Sequence, residues 1–518
     1  MGYSAHQTIF EVCMKKRVLS GIIMLALVLA LAACNFIHPV TEPETSNAAE
    51  SDRRDNLALM KTLDSHKIGM DELQSIVEKM LNTTQEGRSA ASSGAVITGV
   101  KKLPLEEQRF ASSSAGRSAA EDSFEEPVAV YEFAAGSPES GNEMFVLACD
   151  DIRIGAILAV AQGSLESAPE DFYGILQAGL HNYIAATISE YESITEEEVE
   201  AAIEKAANGP QEAARTVSGG ELLKSDFTIR KSAMLKTKWG QGENLKKVIF
   251  RVYNGAYNNY VQHVYNNNSF ITGCVPTAIA QIIAFHNYIA TPRSPALPSP
   301  FTNTAYGTWT GSFNLSKIRN VETINHLSSK EEIGQVGVLM YYIGHKNIGS
   351  ADYQAGWTGM SLSEARSVFQ KLGYTVTNYD TKPTTTTGTA DNFTIKYNTS
   401  LATIKNALND NRPIFFSGFA QDGTKKVGHS WVIDGWGDMT YYTEKRANNS
   451  TWRISLYNIL MVHCNIGWDG ETDGWYIYGI FNTDHPFYPD SDPDSPRSVT
   501  AGNYNYSMNT GMLIPKKK

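Results

Sequence analysis

The stretch Thr272-Gly273-Cys274-Val275-Pro276-Thr277-Ala278-Ile279-Ala280-Gln281-Ile282-Ile283-Ala284-Phe285-His286 begins as a loop and continues as a helix. Apolar residues at 275, 278, 279, 282 and 283 follow the period of a helix with one buried face. Pro276 is tolerated only in a first turn, where its missing N–H would go unpaired anyway. Cys274 is thereby set at the helix N-terminus. There the macrodipole and free backbone N–H groups favour the thiolate, the form that attacks. On this helix alone, an inert core cysteine and a nucleophile are equal readings.

A thiolate nucleophile needs a base that activates it and later protonates the leaving group. His286 is discounted, because twelve residues along one helix is about 18 Å. His429 is the better candidate, in the strand-like run Val427-Gly428-His429-Ser430-Trp431-Val432-Ile433-Asp434-Gly435-Trp436. Gly428 presents no side chain and would let a substrate backbone approach. The third group lies in His463-Cys464-Asn465-Ile466-Gly467-Trp468-Asp469-Gly470. In an extended chain His463 and Asn465 share a face and Cys464 points to the core. Asn465 beside the histidine would fix its tautomer without adding charge. A metal site from His463 and Cys464 is rejected on the same alternation, and no metal or other cofactor is expected.

The order Cys274, His429, Asn465, with gaps of 155 and 36 residues, approximates the papain arrangement, where His and Asn follow the Cys by about 130–150 residues. The match is closer to one family. Gly273 to Gln281 with His286-Asn287-Tyr288 resembles the nucleophile helix of the streptopain family of cysteine peptidases, and 428–435 its histidine segment. His463-Cys464-Asn465-Ile466-Gly467-Trp468 is similar to its Asn-Trp-Gly-Trp segment, and Leu235-Lys236-Thr237-Lys238-Trp239-Gly240-Gln241-Gly242 resembles the start of its mature enzyme. The resemblance covers most of 230–485 and, more weakly, 125–208.

It implies an α+β fold: a papain-like two-lobed catalytic domain preceded by a small α+β propeptide domain. It also implies that Gln241 supplies the oxyanion-hole amide beside the Cys274 N–H, where negative charge develops on the substrate carbonyl. The papain-type position for that glutamine, six residues before the nucleophile, holds Asn268 instead. Ile466 stands where the family has Trp, and Asp469 where it has Gly. Trp468 is expected to cover the His–Asn pair, and Trp357, in Gly356-Trp357-Thr358-Gly359, to line a specificity pocket; both count with Gly428 as substrate-binding candidates.

Outward from this site the chain divides by composition. Met14-Lys15-Lys16-Arg17 precedes an apolar run at 18–33, a signal-peptide pattern too short for a membrane span of about 20 residues. Leu31-Ala32-Ala33-Cys34 resembles a bacterial lipobox, implying cleavage before Cys34 and lipidation of its thiol. A plain signal peptide containing a cysteine is the alternative. The expected divisions are 1–33 as signal peptide, with Met14 as the true start, and 34–124 as lipid-anchored tether and flexible pro-region. A propeptide module at 125–208, an activation linker at 209–233 and the peptidase domain at 234–518 follow. Within these, a helix is expected over 57–81, strands at 144–149 and 156–160, a helix over 173–191, mobile loop over 83–123, and surface loops at 292–300 and 383–387.

The chain has 518 residues, 42% hydrophobic and 19% charged, with 44 Lys plus Arg against 55 Asp plus Glu, a net charge of −11. It has ample apolar content for a folded core. An acidic chain without a basic run excludes a nucleic-acid role. Five scattered cysteines exclude a disulfide framework. The leading reading is an exported cysteine endopeptidase, made as a zymogen and anchored to a bacterial membrane through Cys34, at the cell surface or released on maturation. Its partners would be protein or peptide substrates and its own propeptide as inhibitor. The alternatives are a catalytically inactive surface-binding lipoprotein on the same fold and a transglutaminase-like thiol acyltransferase.

Overall fold

Two apolar runs separated by a turn containing Gly155, at φ 102°, form neighbouring antiparallel strands in the computed structural model, as their sequence predicts. The structure describes residues 54–55, 57–61, 65–85, 95–103, 128–136, 143–168, 170–208, 223–241, 249–254, 259–264, 271–290, 301–303, 307–309, 314–324, 329–345, 348–354, 357–380, 401–422, 425–447, 450–481 and 506–518. All fall in one compact unit, 52–518.

The first part of this unit supplies helix α1 (Met70–Gln85), strands β1 (Val96–Lys102), β2 (Val130–Gly136), β3 (Glu143–Cys149) and β4 (Ile157–Gln162), helices α2 (Glu170–Glu192) and α3 (Glu196–Asn208), and strand β5 (Leu223–Lys231). Then come the hairpin β6 (Ile249–Asn254) and β7 (Asn259–Val264), helix α4 (Cys274–His286), and the hairpin β8 (Phe301–Asn303) and β9 (Gly307–Trp309). Helices α5 (Leu315–Ile318) and α6 (Lys330–Gly344), the hairpin β10 (Asp352–Gln354) and β11 (Trp357–Gly359), helix α7 (Leu362–Lys371) and strand β12 (Tyr374–Asp380) follow. The last part holds helix α8 (Leu401–Asn409), strands β13 (Ile414–Asp422), β14 (Lys425–Ala447), β15 (Ser450–Asn465) and β16 (Gly474–Ile477), helix α9 (Tyr478–Phe481) and strand β17 (Tyr506–Lys517).

Eleven strands form one sheet in the order β1-β2-β3-β4-β16-β15-β14-β13-β17-β12, with β5 added on β14. Mixed helix and strand around a large sheet is the α+β class the sequence implies. The sheet runs without a break from the N-terminal module into the C-terminal part through β4 and β16, where Ala161, Val160 and Ala159 pair with Gly474, Trp475 and Tyr476. A Cβ on Gly474 would lie 2.2 Å from the Val160 carbonyl oxygen, so this seam closes only over a glycine. The Tyr441 hydroxyl on β14 accepts the Ile157 N–H at 2.8 Å across the same junction.

Period-two alternation along β13 and β14 divides the core between the two faces of the sheet. Phe416, Trp431 and Ile433 pack with Phe172, Ile175 and Leu176 of α2. Phe415 and Val432 pack with Val275, Ile279 and Ile282 of α4 and with α6 and α7. Helix α4, which carries Cys274, and the N-terminal part's α2 therefore lie on opposite faces of the strand that carries His429.

Three sequence expectations read differently here. The single helix over 57–81 is interrupted: residues 57–60 are helical, Lys67 bridges to Asp151, and α1 starts only at Met70. The stretch 83–123 contains β1, whose β-branched Val96, Ile97, Thr98 and Val100 suit an edge strand. The linker at 209–233 ends in β5, which pairs with β14 from Leu223↔Thr443 to Lys231↔Trp436. The loops at 292–300 and 383–387, Asn268, and residues 1–53 with Cys13 and Cys34 lie outside the described residues.

Candidate active site

Helix α4 starts at Cys274, with Gly273 as N-cap at φ 90° and no side-chain cap. A left-handed residue in that place favours glycine, and a Cβ there would meet Thr358 at 3.0 Å. Without a cap, first-turn N–H groups stay available, as an anion or oxyanion site requires. Asn287 closes the helix in the αL conformation. The interior is fully buried at Ile279, Ala280, Ile282 and Ile283, which fixes Cys274 as the first helical residue and leaves it part-buried.

Helix α4 brings Cys274 against β14, the strand that carries His429. The thiol lies against the Ser430 main chain, next in sequence to His429 on β14. Burial pushes the thiol up to about 11, Ser430 opposing and Asp171 adding to the rise. Its hydrogen-bonding neighbours are main-chain groups of Ser430, Val275 and Cys274, and His429 is not one of them. The His429 ring is buried, and burial lowers it to about 4 against the Ile466 carbonyl, which favours the charged form. Nε2 lies 2.8 Å from that carbonyl oxygen, so Nε2 carries the proton. Both the thiol and the imidazole are thus neutral at neutral pH.

Asn465 is adjacent but does not bond the ring with its side chain. Its Nδ2 donates to the Thr237 carbonyl at 2.6 Å, and its Oδ1 accepts from Gln281 Nε2 at 2.8 Å and Gly467 N–H at 3.2 Å. The ring's partner is instead the main chain one residue on. Gln281 is a residue the sequence analysis passed over. It sits two turns after Cys274, fully buried, its Oε1 accepting from the Thr237 hydroxyl at 2.9 Å. A polar side chain on an otherwise apolar helix face, at i+7 from Cys274, was the available signal.

Gln241 is buried, and its carbonyl accepts both the N–H and the hydroxyl of Thr272 at 3.1 Å, two residues before Cys274. Its chain is held further by Leu235 N–H on Asp434 Oδ2 at 2.7 Å and by Trp239 Nε1 on the Val321 carbonyl at 2.8 Å. Gly428 is exposed, and a Cβ there would make only an ordinary contact at 3.5 Å, so packing does not require glycine. Trp468 is part-buried at the edge of the 466–473 turn. Trp357 lies on β11, its side chain outside the described residues. Ile466, at the family's Trp position, is buried in the core. The Asp469 carboxylate packs on Gly240, where a Cβ would come 2.4 Å from Oδ2.

Behind this site lies a second titratable group. His463 Nδ1 is 2.6 Å from Asp434 Oδ1, and Asp473 Oδ1 accepts the Ile466 N–H at 2.7 Å. Burial opposes charge on His463, but Asp434, with Asp473 adding, outweighs it and the ring's pKa is raised. Burial drives Asp473 up to about 7, against the pull of the Ile466 N–H and of His463. Cys149 and Cys464 are buried free thiols, their pKa raised well above the usual range by burial. Among the described residues no group of three or more His, Cys, Asp or Glu is placed to hold a metal ion.

The His429 ring lies on the face of the sheet that α2 covers. The Phe172 ring meets His429 edge-on at 6.1 Å and also contacts Trp431 at 6.1 Å, Tyr476 at 5.8 Å and Phe481 at 6.4 Å. Gly174 of the same helix faces Val427, and Ile175 faces Gly418.

A cysteine at a helix N-terminus with a histidine strand beside it is the constellation of a cysteine peptidase. Residues 253–476 match the family model described as the Peptidase C10 family, which supports the streptopain resemblance of the sequence. That match implies a cysteine-type peptidase. No curated protein and no solved structure matches the chain.

Proposed function

We propose that the chain is the zymogen of an exported cysteine endopeptidase, with Cys274 as nucleophile, His429 as base and acid, and Gln241 as oxyanion donor beside the Cys274 N–H. Attack on the scissile carbonyl forms an acyl-enzyme, His429 protonates the leaving amine, and water deacylates the thioester. Asn465 serves this site by holding the Gln241 segment and the Gly467 peptide. The peptidase has the two-lobed papain-like plan, with α4 in one lobe and the His429 strand in the other. Gly428, Trp468 and Trp357 bind substrate, and Cys34 carries the lipid anchor.

The observation that carries this reading is Phe172 seated on His429. A module built from the segment before 209 covers the base, and burial, with Asp171 adding, raises the thiol. Both catalytic groups are then neutral, the state expected of an enzyme waiting for its pro-module to leave. A catalytically inactive binding protein predicts no reactive thiol at any stage. The test is covalent labelling by an epoxysuccinyl inhibitor, read by mass spectrometry. Labelling of Cys274 after processing and not before supports the zymogen; none in either form overturns it.

A further inference from the structure

The loop after Asn465 holds the base through its main chain. The Ile466–Gly467 peptide is bonded at both ends: its carbonyl accepts His429 Nε2 at 2.8 Å, and its Gly467 N–H donates to Asn465 Oδ1 at 3.2 Å. The preceding peptide gives its Ile466 N–H to Asp473 Oδ1 at 2.7 Å. Gly467, at φ 76°, lets the chain turn so that both peptides face inward. Bonds in such a chain polarise one another, so the acceptor strength at the Ile466 carbonyl depends on what the flanking N–H groups meet.

We propose that Asp473 is a positioning residue for His429, its carboxylate holding the Ile466 turn whose carbonyl orients the imidazole, with the Asp434–His463 pair setting its ionisation. This extends the peptidase reading and rests on it for its kinetic consequence only. Asp473 is faced by His463 and Cys464 on β15, Asp434 on β14, Tyr476 on β16 and Lys238 on the segment before Gln241. The β4 end contributes main chain alone, Gln162 N–H donating to the Asp473 carbonyl at 3.0 Å. As pH falls through the Asp473 titration near 7, a carboxylate acceptor becomes a neutral carboxyl and the Ile466 turn loosens. His429 itself titrates near 4 in this form, so the two events are separable.

The test uses the full chain carrying Cys274→Ala and labelled with 15N-histidine. The His429 Nε2–H resonance is expected to shift with a midpoint near pH 7, to lose that shift in Asp473→Asn, and to move its midpoint up by about one unit in His463→Gln, where a cation beside the carboxylate is lost. An unaltered titration in Asp473→Asn overturns the proposal, as does an unmoved or lowered midpoint in His463→Gln. If Asp473→Asn does not fold, His463→Gln carries the decision. In the processed enzyme with Cys274 intact, Asp473→Asn is expected to lower kcat between about tenfold and a hundredfold with KM within about twofold. Unchanged kcat contradicts it. Absence of hydrolysis by processed wild type with the resonance titration intact removes the peptidase reading and leaves the coupling; hydrolysis without an Asp473-dependent shift does the reverse.

Discussion

Replacing Phe172 with Ala should both destabilise the full chain and hasten its processing. The ring is fully buried, and the four rings it meets, His429, Trp431, Tyr476 and Phe481, all belong to β14, β16 and α9. Phe-to-Ala truncation in a core costs about 3–5 kcal/mol. Because these partners lie on the peptidase side, most of that loss falls on docking of the N-terminal module and little on the module's own fold. A 3 kcal/mol loss raises the undocked fraction about a hundredfold. Urea unfolding in a Cys274→Ala background should show the stability loss, and Phe172→Leu, which keeps most of the volume, should lose less than about 1.5 kcal/mol. In chains with Cys274 intact, the processing half-time should shorten in the order wild type, Leu, Ala. Processing of the Ala variant at the wild-type rate, despite the measured destabilisation, would refute the claim that this ring restrains the base.

The Gly474→Ala variant should open the β4–β16 seam, since its Cβ would sit 2.2 Å from the Val160 carbonyl; amide exchange of the flanking strands should rise, and unchanged protection would count against the shared sheet. Full-length chain should react slowly with iodoacetamide at pH 7, where a thiol at about 11 is ionised in only about one molecule in ten thousand, and the rate should climb tenfold per pH unit toward pH 10. Fast, pH-independent alkylation at Cys274 would contradict the buried neutral thiol. Asp473 carries a stability cost: its folded value near 7 exceeds an unfolded value of roughly 3.9, so the folded chain binds more protons between them. Stability from this group is complete below about pH 4 and is lost as pH rises through about 7, by a few kcal/mol. Asp473→Asn should therefore be more stable than wild type at pH 8 and similar at pH 4, by urea midpoint in the Cys274→Ala background. No gain at pH 8 would remove the argument from burial.

Local chemistry was legible in the sequence where one rule decided it. Pro276 and the apolar period set α4 from Cys274 to His286, and alternation sent Cys464 to the core. The run at 427–436 gave the strand of His429 because apolar residues and flanking glycines agreed. What was hidden depends on partners far apart in the chain. β5 reads as linker because its Lys224, Ser225 and Asp226 are polar, and only pairing with β14 makes it a strand. The union of the N-terminal strands with β16 rests on Gly474, whose need for glycine comes only from the close approach of the Val160 carbonyl. Asn465 was assigned to the ring by residue type, but the turn at Gly467 gives that place to the Ile466 carbonyl. Asp473 drew no notice because its partner is a backbone N–H, which carries no residue identity.

The retention of a buried Asp473 that lowers stability near neutral pH fits a residue kept for function, since active sites hold destabilising groups more often than cores do.

The central claim is tested most directly by N-terminal sequencing of purified wild-type and Cys274→Ala chains incubated alone, with casein hydrolysis followed in the same samples. The account predicts a new N-terminus between 209 and 233 and casein cleavage for wild type, and an intact, inactive Cys274→Ala chain. Casein cleavage by the Cys274→Ala chain, or its processing at the wild-type rate, would contradict it.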